Sequence, residues 1–229
     1  MSALDSLITL GANIGKSFLA MSIVHALYYP FFWVFDHYNE SFRQLSDMQR
    51  LYSVKNGVKT IVLALCTPMA LFVLYERVFS DHYTCVPWIR TSGRLYSACD
   101  IVALAKMKRK LPFSTQIHHT MVLLFSVINL VVDYNQWDNP WSNLAVVAST
   151  SCLSYSVNYY LSVRKQTEHV RKVAQVGLVT YLPTFLFAVT FNLCTVDVTT
   201  FHGALFMCFM LPVWYDDCIL LRHLWRRAR

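Results

Sequence analysis

"KMKRKLPFSTQIHHTMVLLF", residues 106–125, runs from a cluster of positive charge into an apolar stretch that holds two adjacent histidines. Lys106, Lys108, Arg109 and Lys110 mark a turn in water, and Pro112 suits the first position of a helix, where its missing N–H costs nothing. Beyond Pro112 the chain is apolar over the length of a bilayer crossing, so His118 and His119 lie where hydrocarbon or protein interior is the surrounding medium. The rest of the chain repeats this pattern of basic turn and apolar run.

Of the 229 residues, 55% are hydrophobic and 14% charged, with a mean hydropathy of +0.38. Soluble domains carry about 25% charged residues, so this chain has too little polar surface to coat a globule. Candidate spans fall at about 14–35, 57–79, 92–106, 112–133, 142–163, 173–194 and 200–222. The third is short and carries Arg94 and Asp100. No period-two alternation suggests a barrel, which leaves an all-α polytopic membrane bundle of about seven helices. The first apolar segment lacks a basic leader and runs on through Pro30 and Trp33, which argues against a cleavable signal peptide.

Seven spans place Arg43, Arg50, Lys55, Lys59, the 106–110 turn, Arg164 to Lys172 and the arginines of the C-terminus on one side. The connections near 134–141 and 195–199 hold no Lys or Arg. The positive-inside rule then predicts a non-cytosolic N-terminus and a cytosolic C-terminus, with Arg77, Arg90 and Arg94 as exceptions. Basic residues at span ends set topology and touch headgroups, so nucleic acid is not expected as a partner, and membrane lipids are. The seven cysteines show no metal-ligand spacing, so no metal is expected. Cys85 and Cys194 share the non-cytosolic side, which leaves a disulfide between them open, with free thiols preferred. "GANIGKS", residues 11–17, has three residues between its glycines where a phosphate-binding loop has four, and it follows no strand.

Depth can be read from the helix rise of ~1.5 Å per residue. His118 lies eight residues after Lys110 and Asp100 eight before Lys108, each ~12 Å from the basic turn on adjacent antiparallel helices. A carboxylate at that depth can orient an imidazole and stabilise its charged form. Asp216 and Asp217 lie nine or ten residues before Arg226, ~14 Å from the basic end, and Pro212 can kink their helix. Ser149, Thr150, Ser151, Ser154, Ser156 and Asn158 form a polar stripe, read first as packing glue. Side chains of adjacent residues point about 100° apart on a helix, so one histidine is expected to face a chamber and the other a neighbouring helix.

The segment from Lys106 to Asn129 resembles the basic turn, His-His and apolar helix of the TLC-domain family, which includes the ceramide synthases. "SGRLYSACDIVALAKM" is similar to the preceding helix of that family, with its aromatic and acidic residues, and "RLYSVKNGVKTIVLALCTPMALFVLYERVF" to its first helix. The likeness covers roughly 47–225, which implies a six-helix TLC-like domain over 47–229 and an additional N-terminal helix with its cytosolic connection over 1–46. Two departures stand out. No Asp or Glu lies between Asp138 and Glu168, where ceramide synthases carry an acidic motif, and Asn56 stands where many members have histidine. Asp216 and Asp217 are candidates to replace the missing acids.

The resemblance implies transfer of an acyl group from acyl-CoA to a lipid amine or hydroxyl, with His118 or His119 as nucleophile and Asp100 as its orienting base. It also implies a pocket beyond the histidines lined by Leu, Val and Phe of their own helix. The turn at Lys106, Lys108, Arg109 and Lys110 would attract the CoA phosphates. No cofactor is implied beyond that substrate, the endoplasmic reticulum or another endomembrane is the expected location, and a homodimer is left open. The alternative is a non-enzymatic TLC-like protein that binds lipid, adjusts membrane composition or escorts cargo.

Overall fold

Long apolar runs with few breakers produce long helices, and a computed structural model of the chain, which describes residues 3–80, 84–107, 113–135 and 139–229, has no strand among them. The main helices are α1 (Ala3–Tyr38), α2 (Glu40–Arg43), α3 (Asp47–Phe79), α4 (Val86–Lys106) and α5 (Phe113–Val131). After a 3-10 turn (Pro140–Asn143) come α6 (Leu144–Leu153), α7 (Tyr155–Val163), α8 (Val170–Thr195) and α9 (Phe201–Ala228). Of these, α1, α3, α8 and α9 are long and apolar enough to cross a membrane. Leu65, Val179, Leu186 and Leu211 are among the large apolar side chains on their outward faces, which suit hydrocarbon better than water.

The segment expected as one helix over 142–163 is two. Ser154 ends α6 and begins α7, and its hydroxyl donates to the Ser151 carbonyl at 2.6 Å. That local bond competes with the helix ladder, which is why a serine-rich stretch breaks here. The rest of the stripe is largely satisfied within its own helix: Ser149, Thr150 and Ser151 donate to the carbonyls of Ala145, Val146 and Val147. Ser156 pairs across helices, with Thr180 of α8.

Among the described residues, three of the four packed regions bound the interior. Ala20, Val24 and Tyr28 form one stripe of α1 against Val54, Val58, Ala98 and Val102 of α3 and α4. Gly57 makes this approach possible, because a Cβ there would sit 3.0 Å from the Phe35 ring and 3.2 Å from that of Phe31. At the far end, Val73, Ile89, Tyr134, Val146, Phe206 and Met210 form an apolar plug. At the near end, Val157, Tyr160, Ala174 and Leu224 close the seam between α7, α8 and α9. Between plug and near end, α3 to α9 leave a central cavity, and α1 lies outside it.

Polar contacts fix which ends share a side. Asn39 donates to Gln166 at 3.0 Å, and Arg50 pairs with Asp36, so the connections after α1 and α7 meet. Arg171 and Gln175 both donate to the Ala228 carbonyl, which adds the end of α9. At the opposite end Arg90 donates to the carbonyls of Asn129 and Val132, capping α5. The sequence 11–17 is plain helix, and Asn13 uses it to reach Arg94 and the Leu130 carbonyl. All seven cysteines are free thiols, so Cys85 and Cys194 are not joined.

Thr200 caps α9 by accepting from the Gly203 N–H at 3.1 Å. A Cβ at Gly203 would collide with the Asp197 carbonyl, a backbone group that cannot swing aside. Gly203→Ala is therefore expected to lower stability by about 1–3 kcal/mol. Gly15→Ala, where a Cβ meets nothing within 4 Å, is expected to be neutral or stabilising by up to about 1 kcal/mol. Thermal unfolding of the two variants in one detergent separates these outcomes, and equal midpoints would refute the collision.

Candidate functional site

The central cavity has a volume of about 400 Å³, within the range of ligand pockets. His118, His119, Asp100, Asp216 and Asp217 all line it. The expectation that only one histidine faces the chamber is corrected. Helix α5 packs between α4 and α9, so directions about 100° apart both reach the cavity, one along each flank. His119 Nδ1 lies 3.7 Å from Asp100 on α4, and His118 Nδ1 lies 3.4 Å from Asp216 on α9. The two rings meet edge to face with centroids 5.7 Å apart.

Neither ring is tied down by a hydrogen bond. Both nitrogens of His119, a residue only 4% exposed, have no such partner, and neither has His118 Nδ1. Buried polar atoms are hydrogen-bonded in the great majority of cases, so these imidazole nitrogens on the cavity wall are free to bond water or a ligand.

Asp100 has a closer partner than either histidine. Lys59 of α3 donates to both of its carboxylate oxygens at 2.9 Å, and the Lys59 ammonium also sits 4.2 Å from the centre of the Tyr96 ring. Asp100 is 1% exposed. Sequence reading assigns Lys59 to the basic band that sets topology; the fold buries it beside the site. The signal was present, since Lys59 lies inside the 57–79 span, where the rule that intramembrane charges face a partner applies as it does to Asp100. Lys55, Tyr181 and Trp214 also line the cavity and were missed. Asp217 accepts from the Tyr181 hydroxyl at 2.6 Å, so the two acids of α9 have separate partners.

The cavity beyond the histidines is lined by Val147 of α6, Phe185 and Ala188 of α8, and Met210, Val213 and Trp214 of α9. This corrects the expectation that Leu, Val and Phe of the histidine helix would line it. Leu123, Leu124 and Val127 point outward, because the face of α5 that carries His118 and His119 is the one turned inward. Lys106 lies away from the cavity, its ammonium 5.0 Å and 5.5 Å from the ring centres of Tyr28 and Tyr29 on α1. Lys108, Arg109 and Lys110 fall outside the described residues. Among the described residues no three His, Cys, Asp or Glu side chains converge as a metal-ligand set.

Comparison with known protein families, curated proteins and solved structures finds no match.

Proposed function

We propose that the chain is a TLC-like integral membrane protein of lipid metabolism, with seven spans, a non-cytosolic N-terminus and a cytosolic C-terminus, in the endoplasmic reticulum or a related membrane. Its activity is transfer of an acyl group from acyl-CoA to a lipid amine or hydroxyl. One observation carries this reading: two histidines with unbonded ring nitrogens share the wall of one cavity with carboxylates beside them.

His118 is the preferred nucleophile. Its neighbour Asp216 has no other ion-pair partner among the described residues, whereas the charge of Asp100 is already balanced by Lys59. With Nδ1 turned toward Asp216, Nε2 attacks the thioester carbonyl carbon. The C–S bond breaks, an N-acyl imidazole forms, and CoA leaves as the thiol, taking the imidazole proton by way of Asp216. The acceptor amine or hydroxyl then attacks the same carbon. The C–N bond to the ring breaks, and the acceptor's proton restores the histidine.

Denaturing intact-mass measurement tests this directly. Incubation with a long-chain acyl-CoA is expected to add one fatty-acyl mass to the native chain and none to His118→Ala. An adduct that disappears in His119→Ala alone would move the nucleophile one residue. No adduct at any chain length in folded protein would refute the covalent mechanism. That result would favour the second reading, a lipid-binding or cargo-escort protein, for which the Lys59–Asp100 pair is a structural brace.

A further inference from the structure

Four of the cavity-lining charges have partners within the protein: Lys59 and Asp100 hold each other, Asp216 lies by His118 and Asp217 by Tyr181. Lys55 is one of two that differ. It lines the cavity one helical turn before Lys59, is 8% exposed, and has neither hydrogen bond nor ion pair among the described residues. Its ammonium faces the ring of Tyr52, whose centre lies 5.6 Å away. A second cation, Arg164 at the end of α7, lies against the same ring at 5.2 Å and also lines the cavity, with no carboxylate partner among the described residues.

A buried charge without a counter-ion destabilises the fold that holds it. Lys55, buried, and Arg164, partly exposed, thus lie against one aromatic ring at one end of a cavity whose other end is apolar, an arrangement that suits an amphiphile. The polar end holds Tyr52, Lys55, Asn56 and Arg164, and the apolar end Val147, Ala188 and Met210. Two adjacent cations match a phosphate, with its charge of about −1.5 to −2 and several acceptor oxygens, better than a single carboxylate.

We infer that Lys55 and Arg164, ordered around Tyr52, form a phosphate subsite for a single-chain amphiphile whose tail runs past the histidines toward Met210. The phosphate belongs either to a lysophospholipid headgroup or to the CoA part of a thioester. The subsite stands independently of acyl transfer, since a phosphate would offset these charges whether or not a histidine is acylated. Under the acyl-transfer reading it would place the anionic end of the donor at α3 and α7, not at the 106–110 turn.

The full chain in phosphatidylcholine nanodiscs, titrated and read by native mass spectrometry, provides the test. The probes are palmitoyl lysophosphatidic acid, palmitoyl-CoA and uncharged monopalmitoylglycerol. At least one phosphate-bearing probe is expected to bind the native chain about tenfold or more tightly than the uncharged one. Lys55→Gln is expected to remove that preference while moving the uncharged probe's Kd less than about twofold, and Lys55→Arg to retain it. A preference for lysophosphatidic acid alone assigns the phosphate to a lipid, and one for palmitoyl-CoA alone assigns it to the thioester. Equal binding of charged and uncharged probes by the native chain overturns the inference without any variant, as does a preference that survives in Lys55→Gln. Lysophosphatidic acid has no thioester, so the outcome is separable from acylation. A phosphate preference without an adduct refutes only the transfer reading, and an adduct without the preference refutes only the subsite.

Discussion

Lys59→Met is expected to lower the stability of the bundle by about 3–5 kcal/mol, because it leaves the Asp100 carboxylate buried and without its cation. Asp100 keeps only a histidine nitrogen at 3.7 Å in exchange for two bonds of 2.9 Å. Asp100→Leu should cost a similar amount for the converse reason, a stranded ammonium against Tyr96. The double variant Lys59→Met/Asp100→Leu removes both charges together and should recover much of the loss, since replacing a whole buried ion pair by apolar groups is often close to neutral. Unfolding midpoints of the four proteins in one detergent give the coupling. A Lys59→Met protein within about 1 kcal/mol of native, or a double variant no better than the singles, would show that the pair is not the brace its geometry indicates. Lys55→Gln provides the contrast. It deletes a buried charge that has no hydrogen bond or ion pair among the described residues, so stability should hold or rise.

On the proposed acyl-transfer reading, Asp216→Asn is expected to slow the reaction by about 10²–10⁴-fold while leaving KM for the acyl donor nearly unchanged. Asparagine keeps the shape of the side chain beside His118 Nδ1 and removes the charge that steadies the ring while it carries the acyl group and its proton. Asp217→Asn should have a far smaller effect, because that carboxylate faces the Tyr181 hydroxyl. Single-turnover assays with radiolabelled palmitoyl-CoA would separate formation of the acyl-enzyme from its transfer. Equal losses in the two asparagine variants would mean that α9 contributes only bulk negative charge. A loss in KM alone would make Asp216 a binding residue.

The basic turn and the His-His pair were enough to place the site at one depth of a helical membrane chain. Asp100, His118, Asp216 and Asp217 were each set within a turn of one another by counting residues from basic markers, and all four line one cavity. Counting failed where it gave no direction around the helix axis. It left one histidine facing away, although α4 and α9 flank α5 closely enough to use both. It lined the cavity with the apolar residues of the histidine helix, although Leu123, Leu124 and Val127 face outward. It also took Lys59 for a topology marker, because a lysine near the start of a span looks the same in sequence whether it reaches the interface or turns inward.

Composition and residue spacing alone determined the helical class and brought the polar groups to one level, because a helix converts residue number into distance along its axis at a constant rise. Which residues face each other was decided only by tertiary packing. Gly57 admits the Phe35 ring, the apolar plug closes the far end, and these contacts settle the rotation and neighbours of each helix. That packing brings Lys59 of α3 onto Asp100 of α4, 41 residues away, and leaves Lys55 facing an open cavity.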